Sequence, residues 1–306
     1  MTVLTAAPRV LTTSLTVLLA VLPAAAQGRI SNAKIETPTL SGPLEREVQT
    51  IASRSGATWI GYRTPMIPGR RQMCCYDSIS PANDCCGMCR LEGGGGVTMT
   101  QSSSVETRGT RVVLEPPADV IILARVENGD ITRLRTFTPD CDIDGGGMPL
   151  VWLENVPAAA SVAWLTSLVR SKAATSDRDN RVAQPAIGAL ALHPDQSAVK
   201  TLVTLARDDP RPATRNQALF WLAQRAGQEA VATITAAIQD DPDTQVKRRA
   251  VFALSQLPKD EGIPLLIQTA RTNKNPDVRK QAMFWLGQSK DTRAVQFFEE
   301  LLLKNR

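Results

Sequence analysis

The sequence predicts an α+β multidomain protein: a small β-rich region that holds every cysteine, followed by an all-α solenoid of repeated helical pairs. Three observations carry that expectation. All six cysteines fall between Cys74 and Cys141. A seven-residue apolar block recurs at an interval of 32 residues through the second half. Between the two, turn-rich segments with alternating strand patterns give way to helix formers. The expected boundaries are 1–26 for a leader, 27–157 for the β-rich region, 158–181 for a connecting helix and linker, and 182–306 for the solenoid.

The leader comes first. Arg9 precedes an apolar run over 10–22, and Ala24-Ala25-Ala26 offers a small-residue cleavage site, so the mature chain is expected to begin at Gln27. About 13 apolar residues are too few for the ~20 that span a bilayer. No later segment is long and apolar enough either. The expected location is periplasmic or secreted, with no membrane span after cleavage.

Export changes the reading of the cysteines, because oxidising compartments permit disulfides. Cys74, Cys75, Cys85, Cys86, Cys89 and Cys141 form an even set, whose leading reading is structural disulfides of open connectivity. Bonds between sequence neighbours are strained, so each adjacent pair should split between different partners. Cys86-Gly87-Met88-Cys89 also matches the C-x-x-C spacing of a thiol-exchange pair or half a zinc site. That match supports a rival function: a thiol redox or metal-binding envelope protein with its site in the Cys74–Cys89 cluster.

Strands are expected at 57–62, 111–114, 120–126 and 131–137. The last two flank Glu127-Asn128-Gly129-Asp130, and Asn-Gly between alternating strands signals a two-residue hairpin. Gly93 to Gly96 lacks the Gly-Lys-Ser/Thr ending of a phosphate loop. Asp140-Cys141-Asp142-Ile143-Asp144-Gly145 carries the opening of a calcium loop, which makes Asp140, Asp142 and Asp144 a weak calcium candidate. Its twelfth position is Val151 where a bidentate Glu belongs, so a capped acidic turn is the preferred reading. No cofactor is expected.

Over 158–170, Val162, Leu165, Leu168 and Val169 share one helical face with Trp164 beside it, a natural docking helix for the first repeat. A polar linker follows over 172–181. Then the repeat begins. Ala218-Leu219-Phe220-Trp221-Leu222-Ala223-Gln224 returns as Ala250-Val251-Phe252-Ala253-Leu254-Ser255-Gln256 and as Ala282-Met283-Phe284-Trp285-Leu286-Gly287-Gln288. A degenerate copy starts at Ala186. Val199, Val231, Ile263 and Val295 keep the same register, as do Leu202, Ile234, Leu266 and Phe298. Each unit reads as two amphipathic helices, and such a hairpin must stack on neighbours to cover its apolar face. Asp209-Pro210, Asp241-Pro242 and Asn275-Pro276 stand where helix starts need caps. The aromatic pairs Phe220/Trp221 and Phe284/Trp285, fixed at one helical place, are expected in the core.

Asn275-Pro276-Asp277-Val278-Arg279-Lys280-Gln281-Ala282 followed by Phe284-Trp285-Leu286-Gly287 resembles the HEAT repeat, and Thr244-Gln245-Val246-Lys247-Arg248-Arg249-Ala250 is a weaker copy. The resemblance covers about 180–306. It implies an α-solenoid that serves as a protein-binding scaffold and has no common catalytic residues. The family's acidic-then-basic signature is complete in the last unit alone. Arg215 and Lys247 hold the basic place in the middle units, and Ala183 replaces it in the first, as in a capping repeat.

Charge divides with the chain. Residues 27–160 hold 13 basic and 15 acidic groups, and residues 161–306 hold 21 and 15. Arg215, Lys247, Arg248, Arg279 and Lys280 recur near first-helix starts, a candidate ridge for an acidic protein partner. Nucleic acid is not expected, because no aromatic–basic interleaving accompanies these charges. The lone His193 excludes multi-His metal sites within one chain. It has no companion nucleophile or carboxylate in the pattern, and it reads as a helix C-terminal residue. The expected function is a non-enzymatic binding or scaffolding protein.

Overall fold

The computed structural model describes residues 29–67, 89–92, 118–139, 141–171, 179–225 and 227–304. The expected leader, the strand expected at 111–114, and Cys74, Cys75, Cys85, Cys86 and Asp140 lie outside these residues.

Strands β1 (Arg29–Ser31), β2 (Lys34–Glu36), β3 (Thr58–Pro65), β4 (Cys89–Arg90), β5 (Asp119–Glu127), β6 (Asp130–Phe137), β7 (Asp142–Asp144) and β8 (Pro149–Leu153) form two sheets. The larger runs β2-β8-β3-β5-β6, with β3 parallel to β8 and antiparallel to β5. Side chains alternate across it. Ile60, Tyr62, Val120, Ile122, Ala124, Val126, Val151 and Leu153 face one core. Trp59, Ile121, Leu123, Leu150 and Trp152 face another, closed by Ile143 of the smaller parallel sheet β1-β7-β4 and by Leu91, which follows β4. A carboxylate fastens that closure: Glu92 Oε1 accepts from Trp59 Nε1 and from Arg125 Nε, each at 2.9 Å.

The hairpin forms as its sequence predicts. Glu127 pairs with Asp130 around Asn128 and Gly129, whose φ values of 53° and 85° are those of a two-residue turn with both central residues left-handed. Gly129 N donates to Ala52 O at 3.1 Å, at the end of a helix that the strand-rich expectation omits. This helix, α1 (Leu44–Ala52), buries Leu44, Val48, Ile51 and Ala52 against the sheet. The N-terminal part is therefore itself mixed α and β.

Helix α2 (Ala158–Arg170) packs on the same sheet face, where Trp164 meets Tyr62 edge-to-face with centroids 5.8 Å apart. After a π-helical turn at Asp179–Ala183 the helical pairs follow: α3 (Gln184–Leu192) with α4 (Gln196–Asp208), α5 (Pro212–Arg225) with α6 (Gln228–Asp240), α7 (Thr244–Ser255) with α8 (Lys259–Thr272), and α9 (Pro276–Gln288) with α10 (Thr292–Lys304). The aligned Leu202, Ile234 and Leu266 are all buried, and one core runs unbroken from α1 and the sheet into α10.

Loops repeat as faithfully as helices. Asp209, Asp241 and Asn273 occupy one register position, and each accepts a hydrogen bond from the backbone N–H two residues on, at 3.0, 2.9 and 2.9 Å. Asn275 caps α9 as expected. For α7, however, the cap is Asp243, which accepts from Gln245 N and Val246 N, while Asp241 is drawn to Arg215 on α5, the first helix of the preceding pair.

Gly61 lies between Leu123 and Trp152 in the middle of the sheet, where an added Cβ would stand 2.8 Å from the leucine and 2.9 Å from the buried indole. Gly61→Ala is expected to lower unfolding free energy by about 1–3 kcal/mol in urea titration, because the Trp152 ring cannot retreat.

Candidate functional site: the solenoid face

The five basic residues singled out by the repeat part into two groups. Arg215 is buried and bidentate on Asp241, Nε to Oδ2 at 2.8 Å and Nη2 to Oδ1 at 2.9 Å. Its Nη1 also donates to the Asp209 carbonyl at 2.9 Å. Arg279, two repeats on, donates to the equivalent carbonyl of Asn273 at 2.8 Å and to Lys274 O at 3.0 Å. Lys247 Nζ reaches Gln239 O at 2.7 Å. These three close the loop that precedes their own helix, satisfying carbonyls that a helix end leaves open. A partner cannot reach the Arg215 guanidinium. Arg248 and Lys280 belong to the second group, together with Arg249: all three are exposed and, among the described residues, none pairs with a carboxylate.

Beside these cations runs a row of rings. Phe220, Phe252 and Phe284 hold one register position on α5, α7 and α9. Phe220 stacks on Phe252 at 6.3 Å with planes 3° apart, Phe252 meets Trp285 at 5.0 Å, and Phe284 meets Trp285 edge-on at 5.0 Å. The expectation that these aromatics are core is corrected here. Phe220, Trp221, Phe252 and Trp285 are half-buried and Phe284 is 52% exposed. Their position is where first helices meet side by side, so ring covers ring across repeats and one face stays at the surface. Arg248 precedes Phe252 by four residues, as Lys280 precedes Phe284, a spacing that puts cation and ring on one helix face, whereas Asn216 holds that place before Phe220.

His193 terminates α3, with its backbone N–H donating to Leu190 O. Its side chain belongs to a buried polar chain: Tyr62 OH lies 2.7 Å from Ser161 Oγ, which lies 3.0 Å from His193 Nε2. Strand β3, helix α2 and helix α3 are thereby joined, and Arg225 from α5 donates to His193 O at 2.5 Å. All three side chains are buried, so the Ser–His contact offers no surface to a substrate. Burial drives the imidazole pKa from 6.5 down to about 4, with Asp195 opposing and Arg225 reinforcing the shift. Burial raises the Tyr62 phenol as well, so it stays protonated.

Asp142 and Asp144 lie on β7 on either side of buried Ile143. Asp144 Oδ1 accepts from Gly146 N at 2.9 Å and from Asn32 Nδ2 at 2.8 Å, and these bonds hold its carboxyl below the usual range. Among the described residues no group of three His, Cys, Asp or Glu gathers to hold a metal. Cys141 is buried and disulfide-bonded, and of Cys89 the backbone is described. A cavity of about 220 Å³ opens among the end of α7, the start of α8 and helix α9, lined in part by Leu257, Gly262, Ile263 and Trp285. It falls below the ~300 Å³ at which small-molecule pockets begin, whereas a cleft of about 460 Å³ beside Arg170, Leu205, Asp209 and Arg211 exceeds it.

Comparison with known proteins agrees with the repeat. The HEAT repeats family profile matches residues 167–255 and 231–306. No curated protein matches the chain. Among solved structures, human deoxyhypusine hydroxylase in complex with glycerol is similar at 17% identity over 42% of this chain, with a TM-score of 0.34. The chain spans 43% of that protein, and so partial a likeness carries no argument about activity.

Two measurements check this geometry. Arg215→Ala strands a buried carboxylate and is expected to cost about 3–5 kcal/mol in urea unfolding, much of it restored when Asp241→Asn is added. For His193, the unfolded state takes up a proton as pH falls below 6.5 and the folded state does so only near 4, so stability is full above that window and declines through it. Between pH 7 and pH 4 the loss attributable to this group is about 3 kcal/mol. His193→Asn should flatten that slope relative to the parent chain.

Proposed function

We propose, from the premise that residues 167–306 are HEAT repeats, that the chain is a non-enzymatic scaffold that binds an acidic protein partner along α5, α7 and α9. The observation that carries this reading is the half-exposed row of Phe220, Phe252, Trp285 and Phe284 flanked by exposed Arg248, Arg249 and Lys280. Aromatic rings supply large contact area at small entropic cost, and cations at the margin select acidic chains and speed encounter. HEAT repeats themselves support a scaffold, because stacked helical pairs build extended surface rather than an enclosed pocket. Arg215, Lys247 and Arg279 serve the partner indirectly, by holding the loops that space the helices.

The same reading places the protein outside the cytosol, on the strength of Arg9, the apolar run that follows and Ala24-Ala25-Ala26. The buried, disulfide-bonded Cys141 supports structural bridging in the cysteine-bearing part. N-terminal sequencing of the protein from its native host is expected to read from Gln27. A peptide that begins at Met1 would overturn the location.

Binding is tested with the full chain as bait in an envelope extract, followed by titration of the captured protein. Arg248→Glu with Lys280→Glu should weaken its affinity about tenfold or more, and rising salt should do the same to the parent. Phe252→Ser with Phe284→Ser should weaken it without changing the salt dependence. An acidic partner held equally by all three chains would exclude this face.

A further inference from the structure

A notch that one helical pair closes with an arginine is left open in the last. Arg225, Leu257 and Ser289 share a register position at the end of the first helix of their pairs. Arg225 reaches back to the loop of the pair before, donating to Ala191 O at 3.0 Å and to His193 O at 2.5 Å. Leu257 is buried in the core. Ser289 does neither, because its hydroxyl turns to Leu286 O of its own helix at 2.7 Å. The cavity of about 220 Å³ lies at this place, lined by Ser289 and Trp285 of the last pair and by Ser255, Leu257 and Ile263 of the third. Ser255 and Leu257 are the register equivalents of Ala191 and His193. The two loops match in backbone as well. Leu257 N donates to Leu254 O at 3.2 Å, as His193 N does to Leu190 O, and a proline follows each. Among the described residues nothing donates to Ser255 O or Leu257 O.

We infer that the open notch receives an arginine side chain of the protein partner, laid against Trp285 with its guanidinium on the carbonyls of Ser255 and Leu257. The occupant is read from Arg225, which makes the equivalent two bonds inside the chain. Open carbonyls at a helix end carry partial negative charge and favour a cation that can donate. Arginine brings a planar group that serves two acceptors and stacks on an indole, on a stem suited to Leu257 and Ile263. A purely apolar side chain would leave both carbonyls as they are. The volume, short of a small-molecule pocket, suits a single side chain. Charge does not bar a cation: at the rim Lys259 and Arg293 stand against Asp260, Glu261 and Asp291, and Arg293 is paired with two of these. Trp285 belongs to the ring row too. The inference rests on the scaffold reading for the chain that brings the arginine, and it fixes where that chain crosses the last two pairs.

The test needs no partner. N-acetylarginine amide is titrated into the full chain up to about 100 mM, far into the weak end of the affinity scale. The indole N–H resonance of Trp285, assigned with Trp285→Phe, is followed by NMR. A saturable shift is expected, with N-acetylnorleucine amide weaker by about tenfold or more. Ser289→Arg, which copies Arg225, should abolish binding, and Ser289→Leu, which copies Leu257, should do so without adding charge. Arg248→Glu with Lys280→Glu should leave it unchanged. No saturable shift, an equal response to both amides, or undiminished binding in the two Ser289 variants would overturn the inference. The scaffold reading stands in that case if the acidic partner is still lost on charge reversal of Arg248 and Lys280.

Discussion

A helical hairpin with one apolar face cannot bury it alone, and every other feature of this protein answers that constraint. Each pair is covered by the next, so Leu202, Ile234 and Leu266 are buried although each lies on a helix of ordinary amphipathic pattern. Coverage works only if successive pairs arrive at one spacing and angle. The loops set both. Asp209, Asp241 and Asn273 each bend the chain by accepting the N–H two residues on, and Arg215 and Arg279 hold the carbonyls that the bend turns inward. The Arg215–Asp241 pair adds a charge-matched contact between the helix of one unit and the loop of the next. Ion pairs so deep offset their desolvation only when geometry is close, and the two parallel bonds at 2.8 and 2.9 Å meet that condition.

At the start of the stack a different device is needed, because the first pair has no preceding repeat. Helix α2 and the sheet take that role. Their junction with α3 is fastened by the chain from Tyr62 through Ser161 to His193 and by the backbone bond from Ile67 N to Leu192 O at 2.9 Å. Oily surfaces slide over one another at small cost, whereas a buried hydroxyl out of register loses its partner and costs about 1–3 kcal/mol. The polar chain thus gives the joint one setting. Arg225 on the His193 carbonyl extends that setting to the second unit. The row of rings and cations on α5, α7 and α9 is presented from a base whose orientation is fixed by hydrogen bonds.

Much of this was legible in the sequence, and the misses have physical causes. The 32-residue period located the repeats, because side chains that face one core must recur with the unit that builds it. Depth is another matter. Periodicity shows that Phe220, Phe252 and Phe284 share a face, and it cannot tell a face against the second helix from one against the neighbouring repeat. Arg215 counted as a surface cation because its partner Asp241 lies a whole unit ahead in the next loop. Helix α1 did carry a signal, Leu44, Val48, Ile51 and Ala52 at helical spacing, but over only nine residues. Strands β1, β4 and β7 are two or three residues long and exist by pairing with distant segments, so no local pattern announces them. His193 was rightly placed at a helix end. Its partner Ser161 comes from a helix 32 residues earlier, and only the fold brings them together.

The sheet and the repeats sharing one core is the feature on which the rest stands, and native-state hydrogen exchange across the whole chain tests it most directly. With a single core, the slowest amides of β3, β5, α2 and α3 should exchange with one common free energy of opening and respond together to denaturant. Opening of α3 and α5 at a free energy well below that of β3 and β5, with its own denaturant dependence, would contradict it and leave the solenoid a separate body tethered to the sheet.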